Sequence, residues 1–195
     1  MASIDLVAIQ SVHFPTAYLR MDGGKVTAFN GAGSGTVNCQ YYGSGTLPVP
    51  SVGNLEVFEL IPMSGFSHGY GLRSVNDPGA FLRIDGSQVK ASEGAGSGTV
   101  NCQYYASGSY PTAAKDDELL ILQEVKVGST VAYSIRANPF TNAYLRMDGT
   151  NVTAFNGSGS GVVNCQFYPT GQGPSGTTSY ELFKVIPLPS FSGPF

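Results

Sequence analysis

The sequence contains no tryptophan and is poor in charged residues, histidine and cysteine. Only 12% of its 195 residues are charged, the formal net charge is −3, and there are two histidines and three cysteines. Ten Lys and Arg residues are too few for a basic surface, so we expect no nucleic-acid partner. No apolar run approaches the ~20 residues that a membrane helix needs, so we expect no membrane insertion.

The cysteines and the first residues bear on the compartment. Met1 to Asp5 show neither a basic segment nor a long apolar segment, as a secretory signal would. Cys39, Cys102 and Cys165 occupy equivalent places in an internal repeat, and an odd number cannot all pair. We interpret them as free, buried, small hydrophobes; the alternative, a three-cysteine metal site, would need all three sulfurs to converge. The sequence thus predicts a protein that is cytoplasmic or released without a signal peptide, and that needs no metal or other cofactor.

A three-fold repeat dominates what is present. The segment from Ala17 to Gly23 recurs 63 residues later, and again after another 63, and Gly31 to Tyr42 is identical to Gly94 to Tyr105. A fixed period with three copies indicates one supersecondary unit used three times. We place the repeats at about 4–63, 67–126 and 130–188 of a single domain spanning 1–195, with an irregular tail at 187–195.

Each repeat alternates apolar and polar residues, which is typical of half-buried strands. In the second strand of repeat one, Leu19 and Met21 share one face, and Val37, Cys39 and Tyr41 do so in the third strand. Four such segments in each of three repeats predict twelve strands and an all-β fold, a β-trefoil with pseudo-three-fold symmetry. A closed barrel also removes edge strands. The units are long for a trefoil, so we expect an extra hairpin or extended loop near 26–30 and at 43–54.

The repeated strings resemble a known branch of this superfamily. The segments YLRMDG, VNCQ and EVFELI are similar to the repeats of fascin-like and hisactophilin-like β-trefoils. The resemblance to ricin-type β-trefoil lectins is weaker, because the Gln-x-Trp near each repeat end is missing. The resemblance implies the fold and leaves the activity open, since members differ in function.

The sequence offers little for catalysis. His13 and His68 lie at non-equivalent places, so a Ser-His-Asp or Cys-His arrangement would have to be built once on a symmetric scaffold. We expect both in exposed loops, and the cluster 116–118 in a solvated loop. The Gly-rich run 31–35 lacks the Lys and the helix of a phosphate-binding loop, so we interpret it as turns that require positive φ. We therefore expect no enzyme.

Polar residues on the middle strands are the candidate ligand-binding groups. Each repeat carries an Arg and an Asp that we expect to point outward from one strand, and an Asn and a Gln from the next. Together they supply a donor fork, a carboxylate and two amides, which can bind vicinal sugar hydroxyls. The twelve candidates are Arg20, Asp22, Asn38, Gln40, Arg83, Asp85, Asn101, Gln103, Arg146, Asp148, Asn164 and Gln166. The alternative is that Arg pairs with Asp while the amides bond the backbone at the repeat junctions.

Stacking groups and one asymmetry complete the pattern. Tyr18, Phe29 or Tyr42 could provide an aromatic face for the C–H groups of a sugar. Residues 27–30 and 153–156 both read Thr-Ala-Phe-Asn, whereas 90–93 read Lys-Ala-Ser-Glu, so the second unit differs. Two like sites and one altered site fit a lectin, and drift on an unimportant loop would leave the same pattern.

The leading hypothesis is a non-enzymatic, multivalent carbohydrate-binding protein, a lectin with two or three equivalent sites and glycans as partners. The alternative is a protein-interaction or scaffold module, either fascin-like and cytoskeletal or self-assembling, which leaves a homo-oligomer open. A protease-inhibitory loop at 47–50 is a third alternative.

Overall fold

The computed structural model describes residues 5–51 and 53–190, over which the chain forms twelve strands and no helix. It therefore contains, within these residues, no helix long and apolar enough to cross a membrane. The strands are β1 (Asp5–Ser11), β2 (Ala17–Asp22), β3 (Thr36–Tyr41), β4 (Phe58–Pro62), β5 (Gly69–Ser74), β6 (Ala80–Asp85), β7 (Thr99–Tyr104), β8 (Leu120–Val127), β9 (Thr130–Ala137), β10 (Ala143–Asp148), β11 (Val162–Phe167) and β12 (Phe183–Pro187). The prediction of four strands in each repeat is confirmed.

Six of the strands close into a barrel. The antiparallel pairs run β1–β4, β4–β5, β5–β8, β8–β9, β9–β12 and β12–β1, so that the ring returns to its start. Each repeat contributes its first and fourth strands to this ring. Closure leaves none of the six as an open edge, which is how an antiparallel sheet of this size avoids edge-to-edge aggregation.

The other six strands form three hairpins, β2–β3, β6–β7 and β10–β11, in the same register. Leu19 pairs with Cys39, Leu82 with Cys102, and Leu145 with Cys165. Two isolated bridges, Cys39 with Gly161 and Gly98 with Cys165, join hairpins of different repeats. Barrel and triangular cap together make the fold a β-trefoil, as the repeat pattern predicted.

The core lies inside the barrel and under the cap. Leu19, Leu82 and Leu145 are fully buried in one cluster that also holds the three cysteines, which are free. This cluster contains the apolar side chains that the alternation had assigned to the inner faces of the strands. Burying it provides the main free energy of folding, at roughly 25 cal/mol for each Å² of apolar surface removed from water.

The extra length of each repeat lies in loops. The segments 23–35 and 42–57, apart from the undescribed residue 52, form turns and extended backbone and no further strand. Pro187 still belongs to β12, residues 188–190 lie in no strand, and Leu188 N donates to Leu6 O at 2.8 Å. Residues 1–4, 52 and 191–195, which include most of the predicted tail, lie outside the described residues.

Candidate functional site

The arginine of the second strand is buried in every repeat, against the expectation that it points outward. Arg20, Arg83 and Arg146 are only 5–6% exposed. The segment before the fourth strand covers each of them, fixed by backbone bonds such as Met21 N to Leu55 O at 2.9 Å. The outward prediction is wrong for these arginines because alternation describes one strand and does not show what packs over its outer face.

A buried charge needs a partner, and each arginine has two or more. Arg Nη2 lies 3.3, 3.0 and 3.1 Å from the carboxylate of Asp22, Asp85 and Asp148 in the three repeats. The Arg Nε faces a second, buried carboxylate at 3.6–3.8 Å, that of Glu56, Glu118 or Glu181. The structure therefore has the alternative that the sequence had left open, in which Arg pairs with Asp. A glutamate is a further partner of each arginine.

The site residues predicted from the sequence did not include these three glutamates, although their recurrence could have identified them. Each stands two residues before the fourth strand of its repeat, in the string EVF at Glu56, ELL at Glu118 and ELF at Glu181, so their recurrence was readable. A tyrosine hydroxyl donates to each one: Tyr42 to Glu56 at 3.1 Å, Tyr105 to Glu118 at 3.0 Å, and Tyr168 to Glu181 at 2.9 Å. An Arg–Glu–Tyr cluster thus recurs in each repeat.

Repeat two carries the most acidic version of the cluster. Arg83 also pairs with Asp117 at 2.6 Å, so the prediction of a solvated loop at 116–118 is wrong for Asp117 and for buried Glu118. Burial raises the pKa of the Glu118 carboxyl to about 7, and the Asp117 charge adds to this rise while Tyr105 and Arg83 oppose it. Burial also raises the pKa of Asp117 and of Glu56 above their ordinary values.

The predicted glutamines join each repeat to its neighbour. Gln40 and Gln103 are fully buried, so the prediction that they point outward is also wrong. Gln103 donates to Asn30 Oδ1 at 3.2 Å, and its Oε1 accepts from Asn30 N at 3.2 Å. Gln40 makes the same pair of bonds with Asn156. Gln166, also buried, accepts only from Glu93 N at 3.4 Å across the corresponding junction, because Glu93 stands where the others have Asn.

The predicted asparagines and the cysteines act at the same junctions. Asn38 Nδ2 donates to Ser158 O, Asn101 Nδ2 to Ala32 O, and Asn164 Nδ2 to Ala95 O, each at 2.8 Å. The cysteine thiols lie 3.6–3.7 Å from the backbone oxygens of Asp148, Asp22 and Asp85 in the neighbouring repeat. The Asn, Cys and Gln of each third strand therefore hold the Gly-rich loop of the preceding repeat, and Gly31 and Gly33 there adopt the positive φ that was expected.

Three surface clefts are each lined by one of the buried glutamates, one cleft at each junction. Cleft 1 is lined by Arg20, Tyr42, Leu55, Glu56 and Phe155, with a volume of about 340 Å³. Cleft 2 is lined by Phe29, Arg83, Lys115, Asp117 and Glu118, with about 130 Å³. Cleft 3 is lined by Ser92, Gln166, Tyr168, Tyr180 and Glu181, with about 350 Å³. One wall of each cleft belongs to the preceding repeat, which no reading of a single repeat could reveal.

Exposed phenylalanines form the outer wall of two clefts. Phe29 and Phe155 are 62% and 61% exposed, and each meets a tyrosine edge-on at 5.6 Å, Tyr105 and Tyr42 respectively. Of the predicted stacking residues, Phe29 offers a free face, whereas Tyr18 is buried and cannot. Cleft 1 and cleft 2 thus combine an apolar ring with a charged, hydrogen-bonding floor.

The histidines lie apart from one another. His68 is exposed, as expected, in a turn with φ 57. His13 is half-buried, with its ring stacked on Tyr180 at 4.9 Å, so the prediction of an exposed loop residue is wrong for it. Within the described residues, no group of three or more His, Cys, Asp or Glu side chains is placed to hold a metal ion.

Known proteins resemble this chain in structure. No protein-family model and no curated protein matches the sequence. The designed three-fold symmetric protein ThreeFoil is 15% identical, with a TM-score of 0.51 over 93% of this chain and 97% of its own. The Polyporus squamosus lectin bound to the epitope Neu5Aca2-6Galb1-4GlcNAc is 14% identical, with a TM-score of 0.54 over 95% of this chain. A mosquitocidal holotoxin is 9% identical, also with 0.54 over 95%.

The lengths of these structures differ. This chain spans 49% of the lectin and 17% of the holotoxin. At such low identity the likeness shows the fold, a β-trefoil, and does not identify the fascin-like branch, which stays a prediction.

Proposed function

We propose that this chain is a non-enzymatic, multivalent carbohydrate-binding protein whose sites are the clefts at the repeat junctions. The observation that carries the proposal is the pairing of an exposed Phe ring with a floor of buried Arg and Glu in cleft 1 and cleft 2. A pyranose has an apolar C–H face and a rim of hydroxyls, so it needs both kinds of surface at once.

The floor supports this proposal through its mixture of groups. The guanidinium donates only and the carboxylates accept, and one glycine of a Gly-rich loop lines each cleft: Gly157, Gly31 and Gly94. Of the twelve residues predicted from the sequence, Arg20, Arg83 and Gln166 line clefts. The other nine position the walls and the floor of the clefts.

The repetition and the structural comparison also support it. Like sites on one rigid body raise avidity by about 10² to 10⁴ over a single weak site without any new contact. The lectin among the similar structures is bound to a glycan epitope, which makes this class of ligand the first to test.

The test is a glycan array together with haemagglutination, using the wild-type chain and Phe29→Ala/Phe155→Ala. Both rings are exposed, so the double variant is expected to fold, while array binding falls at least about 10-fold because each site loses its stacking surface. Val131→Ala removes another exposed apolar side chain, 47% exposed on β9, and should change nothing. An array without any hit and no haemagglutination would remove the proposal; co-sedimentation with actin filaments would then favour the scaffold alternative.

A further inference from the structure

The three clefts differ in the loop that forms their outer wall. Cleft 1 and cleft 2 receive Phe155 and Phe29, each from a Thr-Ala-Phe-Asn segment, whereas cleft 3 receives Ser92 from Lys-Ala-Ser-Glu. The loop backbones are otherwise alike, since Gly31, Gly94 and Gly157 have φ of 73, 70 and 72. The three loops therefore share one backbone geometry and differ in the side chains that they present to the clefts.

The asparagine after each Phe fixes the loop backbone that carries the ring. Asn30 Oδ1 accepts from Ala32 N at 3.0 Å, from Gly33 N at 2.8 Å and from Gln103 Nε2 at 3.2 Å. Asn156 Oδ1 makes the same three bonds with its own neighbours, to within the same distances. Because the loop backbone next to the ring is already ordered, it loses little entropy when a ligand packs on the ring. The Glu93 side chain makes no such bonds in the described structure.

Cleft 3 has an aromatic residue on its other wall, but that ring is already covered. The Arg146 guanidinium lies 4.6 Å from the centre of the Tyr180 ring, and His13 stacks on the same ring at 4.9 Å with an interplanar angle of 22°. Phe14 adds an edge contact at 4.9 Å. Tyr168, the remaining ring of cleft 3, bonds Glu181 and meets Tyr144 edge-on at 5.4 Å. Cleft 3 thus offers hydroxyls but no fixed, open ring face.

From this asymmetry, and resting on the proposed function, we infer that the protein is bivalent. Cleft 1 and cleft 2 each bind the C–H face of one pyranose against Phe155 or Phe29, and cleft 3 binds none. Phe-Asn at the loop tip is then the specificity determinant, and Ser-Glu at positions 92 and 93 is the reason that the third site is lost.

The test is an amide NMR titration in which the three equivalent glycines report on their own clefts. The probes are the methyl glycosides of galactose, N-acetylglucosamine, mannose and fucose, each to about 50 mM, well above the millimolar Kd of a weak single site. Sorbitol, an open-chain polyol without a pyranose face, is the control. At least one glycoside is expected to shift the amides of Gly31 and Gly157 and to leave that of Gly94 in place.

Two variants separate the clefts. Phe29→Ala should abolish the response at Gly31 and leave Gly157 unchanged, which gives each molecule an internal folding control. Ser92→Phe/Glu93→Asn should create a response at Gly94, so that the binding stoichiometry rises from two to three.

An equal response of Gly94 in the wild-type chain would overturn the inference while the carbohydrate function stands. A failure of Phe29→Ala to reduce the Gly31 response would overturn the role of the ring. If no glycoside shifts any of the three glycines while the array is positive, glycans bind elsewhere and the inference is wrong. If the array is also empty, the proposed function falls with it.

Discussion

At the residue scale, the most telling feature is the charge buried in each repeat. Arg20 and its two counterparts are held by an Asp on the same strand and a Glu from the next covering segment. Removing one partner of such a cluster leaves an uncompensated buried charge, which is far more costly than exchanging the whole cluster. The repetition of these residues therefore has a structural reason, and a ligand that reaches the cleft meets groups already in place.

Replacing Glu118 by Gln is expected to change how stability depends on pH. The folded carboxyl has a pKa of about 7, whereas an unfolded Glu has about 4.3. Its contribution is therefore fully present below pH 4.3 or so and is lost as pH rises through about 7. Glu118→Gln cannot ionise, so relative to wild type its free energy of unfolding should improve by about 2 kcal/mol between pH 5 and pH 8.

Urea unfolding at the two pH values measures this difference. Glu93→Gln makes the same substitution at an exposed position and is the control. If the Glu118→Gln curve kept a constant offset from wild type across this range, the raised pKa would be wrong.

At the scale of elements, the Gly-rich loop packs against the third strand of the following repeat. A Cβ added at Gly35 would overlap Cys102 Sγ and come within 2.7 Å of Val26 Cγ2 and 2.9 Å of Asp22 O. Gly98 and Gly161 meet Cys165 and Cys39 in the same way. The expectation that the whole run 31–35 needs positive φ is therefore wrong for Gly35, where glycine is required for close approach.

Gly35→Ala is expected to destabilise the protein by about 1–3 kcal/mol, the usual cost of overpacking a close contact. Gly43→Ala is the matched control, because its added Cβ would meet nothing closer than Thr46 Oγ1 at 3.6 Å. Thermal and urea unfolding of the two variants should separate them clearly. Equal stability of both variants would show that Gly35 is not closely packed against the third strand of the next repeat. Partial recovery of stability in Gly35→Ala/Cys102→Ala would identify the Cys102 sulfur as the atom that the added Cβ overlaps.

At the scale of the whole molecule, the junctions form a ring. The loop of repeat one is bonded to repeat two, that of repeat two to repeat three, and that of repeat three to repeat one. The barrel strands close in the same circular way. No repeat can open without breaking two junctions and exposing the shared core, so we expect the chain to unfold as one unit.

The three thiols provide the measurement of this cooperativity. Burial raises the pKa of Cys39, Cys102 and Cys165 to about 12, and all three are fully buried at different junctions. They should react with a thiol reagent together, in one transition that coincides with the loss of circular dichroism in guanidinium. A thiol that reacts early, before the β-sheet signal is lost, would show that its junction opens alone.

Much of this architecture was readable from local patterns. The period of 63 residues identified the repeats, and alternation placed Leu19 and Cys39 on inner faces, where the structure has them. Alternation gave the wrong exposure for Arg20 and Gln40, because a covering loop turns the outer face of a strand into an interior. The recurrence of Glu56 was visible in the sequence, but its contacts with Arg20 and Tyr42 were not.

The sequence by itself determined the strands, the symmetry and the apolar core, because each depends on residues close together in the chain or on repetition of the same string. Only the tertiary structure decided which residues share a cleft. The groups that join the repeats at these clefts, such as Asn30 with Gln103 or Gln40 with Asn156, lie 73 and 116 residues apart. They come together because the barrel closes, and closure is a property of all three repeats at once.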